Sequence, residues 1–267
     1  MEKTALITIC EKLSATARLA GDFIAKEAEK FNTDIVEYKD VNNVVSYVDK
    51  EAEQMIVKAL RDLLPQAGFI TEEGTADTQD YEGYNWIIDP LDGTANFIHG
   101  VPNYSVSLAL AKGKEVLTGV VFHIKANEMY TAVKGNGAFC NDKPIKVSAT
   151  PTLGQSLLAT GFPYYKFENM DKYLLVLESL MQKTHGLRRF GSAAIDLAYV
   201  ANGYFDAFFE YNLNSWDMAA GILLVKEAGG SVTDFNGGED YLFGGNIVAG
   251  NATHEELLNE IKRFWNN

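Results

Sequence analysis

Asp89 and Asp92 flank Pro90-Leu91 and run straight into Gly93-Thr94 within the stretch Trp86-Ile-Ile-Asp-Pro-Leu-Asp-Gly-Thr-Ala-Asn-Phe97. Carboxylates bind hard cations, and a glycine turn that opens a helix presents free N–H groups to an anion. Pro90 biases Asp89 toward extended backbone, so a strand ending there projects its carboxylate from a sheet edge. Gly93 makes a turn that is costly for other residues, and Thr94 to Phe97 can begin a short helix. These residue types therefore suit a metal and phosphate site. A plain Asp-Pro-x-Asp-Gly turn is the other reading they allow.

Two further segments supply acids. Glu72-Glu73-Gly74 follows the apolar pair Phe69-Ile70, and Asp217 falls in the first turn of a helix opening at Ser215-Trp216. Taken singly, the glutamates read as a solvated loop and the aspartate as a complement to the helix dipole. With Asp89 and Asp92, Asp217 and one glutamate of the pair make four carboxylates from three segments, the hard oxygen donors that Mg²⁺ takes. No His-Glu-x-x-His or paired Cys-x-x-Cys competes, and His99, His123, His185 and His254 show no ligand spacing. Gly135-Asn-Gly-Ala-Phe-Cys140 begins like a dinucleotide fingerprint, but Cys140 holds the third glycine position, so it reads as a hairpin turn. Tyr164-Tyr165 either borders a pocket or packs.

The elements that must hold these residues follow from periodicity. Leu6, Ile9, Leu13, Ala17, Ala20, Phe23 and Ile24 make the first thirty residues one amphipathic helix. A second helix has a capping-box pattern in Ser46 and Asp49, a stripe of Met55, Ile56, Ala59, Leu60 and Leu63, and a stop at Pro65. Strands are expected at Trp86 to Asp89, Tyr104 to Ala111, Glu115 to Ile124 and Met129 to Val133, joined by turns short enough for an antiparallel meander. From Pro151 onward the pattern alternates. Helices are expected at 171–182, 192–201 and 216–228, strands at 204–210, 231–234 and 246–249, and a helix at the end. Helices, then antiparallel strands, then alternation imply stacked α and β layers, with an N-terminal half at 1–150 and a C-terminal half at 151–267.

The composition suits a folded chain: 267 residues, 47% hydrophobic and 22% charged. Twenty-three basic against 36 acidic residues leave a net charge of −13, the wrong sign for gripping nucleic acid or anionic lipid. Cys10 and Cys140 are too few and too far apart for a secreted disulfide framework. The apolar run from Thr4 to Cys10 is too short for a signal or a membrane span. The expectation is a cytoplasmic protein with neither nucleic-acid nor membrane partner.

Asp89-Pro-Leu-Asp-Gly-Thr-Ala-Asn-Phe97 and Trp216-Asp-Met-Ala-Ala-Gly221 resemble the two signature motifs of the inositol monophosphatase family. Glu72-Glu73, Gly135-Asn-Gly-Ala-Phe139, Thr160-Gly-Phe-Pro163 and Gly191-Ser-Ala-Ala194 extend the resemblance through nearly the whole chain, with Thr71 where the family often has glycine. The resemblance implies an α+β fold, the layered αβαβα sandwich of the inositol monophosphatase and fructose-1,6-bisphosphatase type. It also implies a Mg²⁺-dependent, lithium-sensitive phosphomonoesterase that forms a homodimer and acts on a small phosphorylated metabolite.

Carried over by position, the resemblance makes Glu72, Asp89 and the Leu91 carbonyl ligands of one Mg²⁺, and Asp89, Asp92 and Asp217 ligands of a second. A third, weaker ion leans on Glu72. Gly93 and Thr94 N–H groups hold the phosphate, and Thr94 with Asp49 orients and deprotonates the attacking water, although Asp49 equally suits the capping role beside Ser46. Gly191, Ser192, Ala193 and Ala194 line the alcohol pocket, with Asp92 and Asp217 at its edge. Glu210 matches the carboxylate that hydrogen-bonds an inositol hydroxyl, or is a strand-end surface residue. The segment from Asp34 to Asn43 covers the site. Inositol monophosphate is the leading substrate. NADP 2′-phosphate, fructose 1,6-bisphosphate, adenosine 3′,5′-bisphosphate and histidinol phosphate are the alternatives, and a non-catalytic metal-binding regulator is the reading from another class.

Overall fold

The computed structural model describes residues 1–30, 37–40, 43–45, 47–76 and 82–266. Two helices, α1 (Lys3–Ala28) and α2 (Tyr47–Leu63), lay their apolar stripes on one face of a seven-stranded sheet. Leu6, Ile9, Leu13, Ala17 and Ile24 from α1 meet Val48, Ala52, Ile56 and Leu60 from α2, at the spacing that keeps side chains on one helical face. Between these helices in the chain, the backbone of β1 (Glu37–Asp40) pairs with β2 (Asn43–Val45) as an antiparallel hairpin. Ser46, the expected capping partner of Asp49, lies outside the described residues, as do 34–36 and 41–42 of the segment expected over the site.

The sheet follows chain order: β3 (Gly68–Thr71), β4 (Tyr84–Asp92), β5 (Ser105–Lys112), β6 (Glu115–His123), β7 (Glu128–Val133), β8 (Ala138–Cys140) and β9 (Lys143–Pro144). β3 is parallel to β4, and every later pair is antiparallel, as the short turns require. The Gly135 segment is the β7–β8 turn, whose N–H groups at Gly135, Asn136 and Gly137 donate to the Glu227 carboxylate. Along β4 successive side chains alternate between faces. Trp86 and Ile88 sit among α1 and α2, whereas Ile87 faces the opposite layer, and Asp89 follows Ile87 by the same alternation.

That opposite layer holds α5 (Ala193–Ala201) and α6 (Ser215–Glu227). α6 is buried without interruption from Met218 to Val225, because a second sheet covers its other side. The second sheet has the order β11 (Gly186–Arg188), β10 (Leu157–Thr160), β12 (Ala207–Glu210), β14 (Ile247–Gly250), β13 (Ser231–Thr233), with parallel pairs around β10 and antiparallel pairs around β14. Tyr173, Val176 and Leu180 of α4 (Met170–Lys183) and Leu257 and Ile261 of α7 (His254–Trp265) close its outer face. The layers run helix, sheet, helix, sheet, helix, the expected α+β sandwich. Among the described residues no helix is long and apolar enough to cross a membrane.

Two expected boundaries move. β4 does not stop at Asp89 but continues through Pro90 to Asp92, because the register passes from Asp89↔Ser107 to Asp92↔Ser105 and so inserts one extra residue on β4. A bulge of this kind accommodates a proline that has no N–H to give the ladder. The strand expected from Tyr204 starts at Ala207. The Tyr204 and Phe205 N–H groups instead turn back to the Tyr199 carbonyl at the end of α5.

Candidate active site

The β4 bulge sets the geometry of the site. Leu91 N–H donates to Asp89 Oδ1 at 3.0 Å, locking that carboxylate against its own turn. Gly93 follows at φ 95°, where a Cβ would stand 3.0 Å from the Asn103 carbonyl oxygen and 3.2 Å from that of Gly191. Only glycine occupies that conformation and space at low cost. The short helix α3 (Thr94–Ile98) begins at once and is anchored by buried Phe97, edge-on to Tyr104 at 5.5 Å. The Thr94 hydroxyl lies 2.9 Å from Asp49 Oδ1 and 3.0 Å from the Leu91 carbonyl oxygen, one donor facing two acceptors. Asn96 Nδ2 donates to the Asn103 and Phe190 carbonyls at 2.7 and 2.8 Å, which draws the Gly191 turn toward α3.

Asp217 arrives from the opposite layer. The Asn214 N–H donates to its Oδ2 at 2.6 Å, holding the side chain back over the first turn of α6. Asp89, Asp92 and Asp217 thereby each offer an oxygen within 4.8 Å of the others. Asp92 Oδ2 accepts the Ala194 N–H at 2.8 Å and the Ser192 hydroxyl, so the start of α5 is tied to the same carboxylate. Glu72 emerges after the last β3–β4 pair, with its N–H donating to the Ile88 carbonyl at 3.2 Å. Its carboxyl meets that of Asp89, and its buried Oε2 has no hydrogen-bond partner among the described residues.

Every one of these acids is held above its ordinary pKa. Burial is the largest cause for Glu72 and Asp89; Asp217 adds to it for Glu72, and Glu72, Asp92 and Asp217 add to it for Asp89. Burial lifts Asp92 to about 6 against the Ser192 and Ala194 hydrogen bonds, and lifts Asp217 to about 7 with help from Asp92. Crowded carboxylates that resist ionisation, with one oxygen unpaired, lack positive charge. The donor set of carboxylates and the Leu91 carbonyl fits a hard divalent cation such as Mg²⁺ and offers no nitrogen or sulfur ligand. Glu72, Asp89, Asp92, Asp217 and Leu91 are the residues that would hold it.

Beside this cluster opens a cavity of about 130 Å³ lined by Asp92, Asp217, Glu210, Gly191, Ser192 and Ala193, together with Thr160, Gly161, Arg189, Asp196 and Leu213. Glu210 ends β12 and turns its carboxyl onto Gly161, where a Cβ would be 2.2 Å from Oε2. Burial, then Asp217, push Glu210 up to about 8, against the pull of Arg189. The structure thus gathers Asp49, Glu72, Asp89, Leu91, Asp92, Gly93, Thr94 and Asp217 into one cluster and sets Glu210 with Gly191 to Ala193 at its side.

Sequence reasoning passed over Arg189, Asp196 and Asn96. Arg189 is the only cation lining the cavity among the described residues, and its guanidinium rests 4.7 Å above the Tyr164 ring. Asp196 is buried on α5 with no partner for Oδ1 among the described residues; a lone acid in an otherwise apolar helix was its available signal. His123 and His254 take structural partners, the Pro102 carbonyl with Tyr199 and the Thr233 hydroxyl respectively.

Known proteins share this architecture. Residues 8–265 match the family model described as the inositol monophosphatase family. The Nus factor SuhB of Pseudomonas aeruginosa is 46% identical over 240 residues, 88% of this chain and 89% of the relative. The inositol-1-monophosphatase of Rhizobium meliloti is 42% identical over 242 residues, 91% of each chain. Among solved structures, extragenic suppressor protein suhB from Bartonella henselae superposes with a TM-score of 0.90 at 39% identity, covering 96% of this chain and 99% of that one. Thermotoga maritima IMPase gives 0.85 at 35% identity, covering 95% and 96%. Because the likeness runs through both sheets and the helices between them, the chain belongs to the inositol monophosphatase family.

Proposed function

We propose that this protein is a Mg²⁺-dependent phosphomonoesterase that hydrolyses the phosphate ester of a small polyol, inositol monophosphate foremost. The observation that carries the reading is the convergence of Asp89, Asp92 and Asp217 oxygens within 4.8 Å, next to the Gly93-Thr94 turn and an open cavity. Bound divalent cations would supply the positive charge that a phosphate dianion needs and would lower the pKa of water. The Gly93 and Thr94 N–H groups, at the start of α3, orient the phosphate oxygens. Asp49 accepts a proton through the Thr94 hydroxyl as water attacks phosphorus in line. The phosphorus–oxygen bond to the alcohol breaks, the departing alkoxide oxygen takes a proton from solvent, and inorganic phosphate and the free alcohol result. Glu210 accepts a hydroxyl of that alcohol, and Ser192 and Ala193 bound its other side.

The test is phosphate release with Mg²⁺ present and chelated, across inositol 1-phosphate, NADP, fructose 1,6-bisphosphate and adenosine 3′,5′-bisphosphate. A Mg²⁺-dependent preference for the inositol ester is expected. Preference for another ester would reassign the pocket, and release from none would overturn the reading. Trapping of an aspartyl phosphate would count against direct attack by water. Lithium inhibition and a homodimer belong to the same proposal and rest on the family resemblance, whereas cytoplasmic residence rests on the two distant cysteines, Cys10 and Cys140.

A second reading comes from the 46% identical relative named Nus factor SuhB. In this reading the folded chain acts as a factor without turnover. An Asp89→Asn variant that still replaces that relative in a deletion strain would show the two roles to be separable. The net charge of −13 favours a protein partner over direct nucleic-acid contact in such a role.

A further inference from the structure

Asp49 and Glu53 are one helical turn apart on α2, so both carboxylates leave the same face of that helix. Asp49 meets Thr94. Glu53 is fully buried in the same stripe as Ala52 and Ile56, yet it takes no ion pair among the described residues. Its three hydrogen bonds all come from the short loop that follows Glu72. The Glu73 N–H donates to Oε2 at 2.8 Å, and the Thr75 N–H and hydroxyl donate to Oε1 at 2.8 and 2.7 Å. Gly74 between them adopts φ 67°, which turns both flanking N–H groups inward around the carboxylate. Such backbone concavities bind anions, and here the anion is a side chain of the protein itself.

Glu72 is therefore clamped from both sides. Its own N–H is fixed to Ile88 of β4, and the next residues are fixed to Glu53 of α2. We propose that Glu53 is a positioning residue for the cation centre: by holding the loop at Glu73 and Thr75, it fixes the Glu72 carboxylate beside Asp89 and so sets the affinity for the divalent ion. This rests on the reading of the acidic cluster as a metal centre. Removing a hydrogen-bonding partner behind a metal ligand typically weakens metal affinity about 10- to 100-fold.

The experiment is a calorimetric titration of the metal-free full-length protein with Mg²⁺ itself, for wild type, Glu53→Gln and Thr75→Val, alongside amide hydrogen exchange at residues 73 and 75. Glu53→Gln keeps the shape of the side chain but replaces one acceptor with a donor facing the loop. The expected result is Mg²⁺ affinity about tenfold weaker, with faster exchange at both amides. Steady-state assays then show a raised half-saturating Mg²⁺ concentration that added Mg²⁺ overcomes. Thr75→Val loses only the hydroxyl bond and should weaken affinity by about threefold, which carries the test if Glu53→Gln does not fold. Native Mg²⁺ affinity in the folded variants overturns the proposal while leaving the metal centre standing. So does a loss of thermal stability with affinity unchanged. Absence of Mg²⁺ binding by wild type overturns both.

Discussion

Replacing Asp89 with asparagine should make the metal-free protein more stable and the enzyme inactive. Asp89, Asp92 and Asp217 place oxygens within 4.8 Å of one another, and at an effective dielectric of about 20 each ionised pair at that distance repels by about 3.5 kcal/mol. Shared protons relieve about half of that in the metal-free state, leaving about 1.5–2 kcal/mol to be gained when one charge is removed. For a chain of this size the gain corresponds to a rise of about 3–6 °C in melting temperature. Asparagine retains an oxygen for the Leu91 N–H, which lies 3.0 Å from Asp89 Oδ1, so the turn itself survives. Calorimetric melts in chelator and in Mg²⁺ test this directly. Wild type should gain stability with Mg²⁺, by about 2.7 kcal/mol at a hundred times the dissociation constant, and the variant should lose most of that gain. Turnover should fall by about three decades, equivalent to about 4 kcal/mol of transition-state stabilisation. A variant that melts below wild type in chelator, keeps its Mg²⁺ response and turns over normally would refute the electrostatic account.

The pH dependence of the metal-free protein should run opposite to that of most proteins. Asp92 at about 6, Asp217 at about 7 and Glu210 at about 8 all lie above their usual values, so the folded state binds more protons than the unfolded one. In chelator the melting temperature should fall as pH rises from about 4 toward about 8, and Mg²⁺ should flatten that slope; a melting temperature that rises across the window contradicts the assignment. Thr94→Val removes the hydroxyl that lies 2.9 Å from Asp49, and kcat should drop about a hundredfold with melting temperature little changed; an unchanged kcat would exclude the proton route. Glu210→Ala should impair hydrolysis of inositol 1-phosphate more than that of a simple aryl phosphate, read as a ratio of kcat/KM values. Gly161→Ala should reproduce that loss of selectivity, because its methyl would displace the Glu210 carboxyl, which lies 2.2 Å from the added carbon. Equal losses on both substrates in either variant would place Glu210 in the hydrolytic step instead.

Local signals sufficed wherever one segment decides its own conformation. The stripe of α1 from Leu6 to Ile24, the β5–β7 meander and the Gly135 turn were legible because periodicity and turn chemistry act over a few residues. The Asp89-to-Phe97 run and Asp217 were legible as a candidate site for a related reason, since four hard ligands in three segments already restrict the chemistry. Strands β10 and β11, of four and three residues, were missed because so short a run shows no alternation and forms only when neighbouring strands supply its hydrogen bonds. Pro90 marked a strand end by local preference, yet pairing with β5 carried β4 past it through a bulge. By spacing alone Asp49 suits capping of α2 as well as chemistry, and only the packing of the layers sets Thr94, 45 positions along the chain, 2.9 Å from it. Arg189 has no distinctive spacing, and neither the one-turn interval from Asp49 to Glu53 nor the lone acid Asp196 in apolar α5 names a partner by itself. Their roles depend on which loop, ring or cavity the packed layers bring against them, and residue types along a single segment do not encode a contact that the rest of the chain must close.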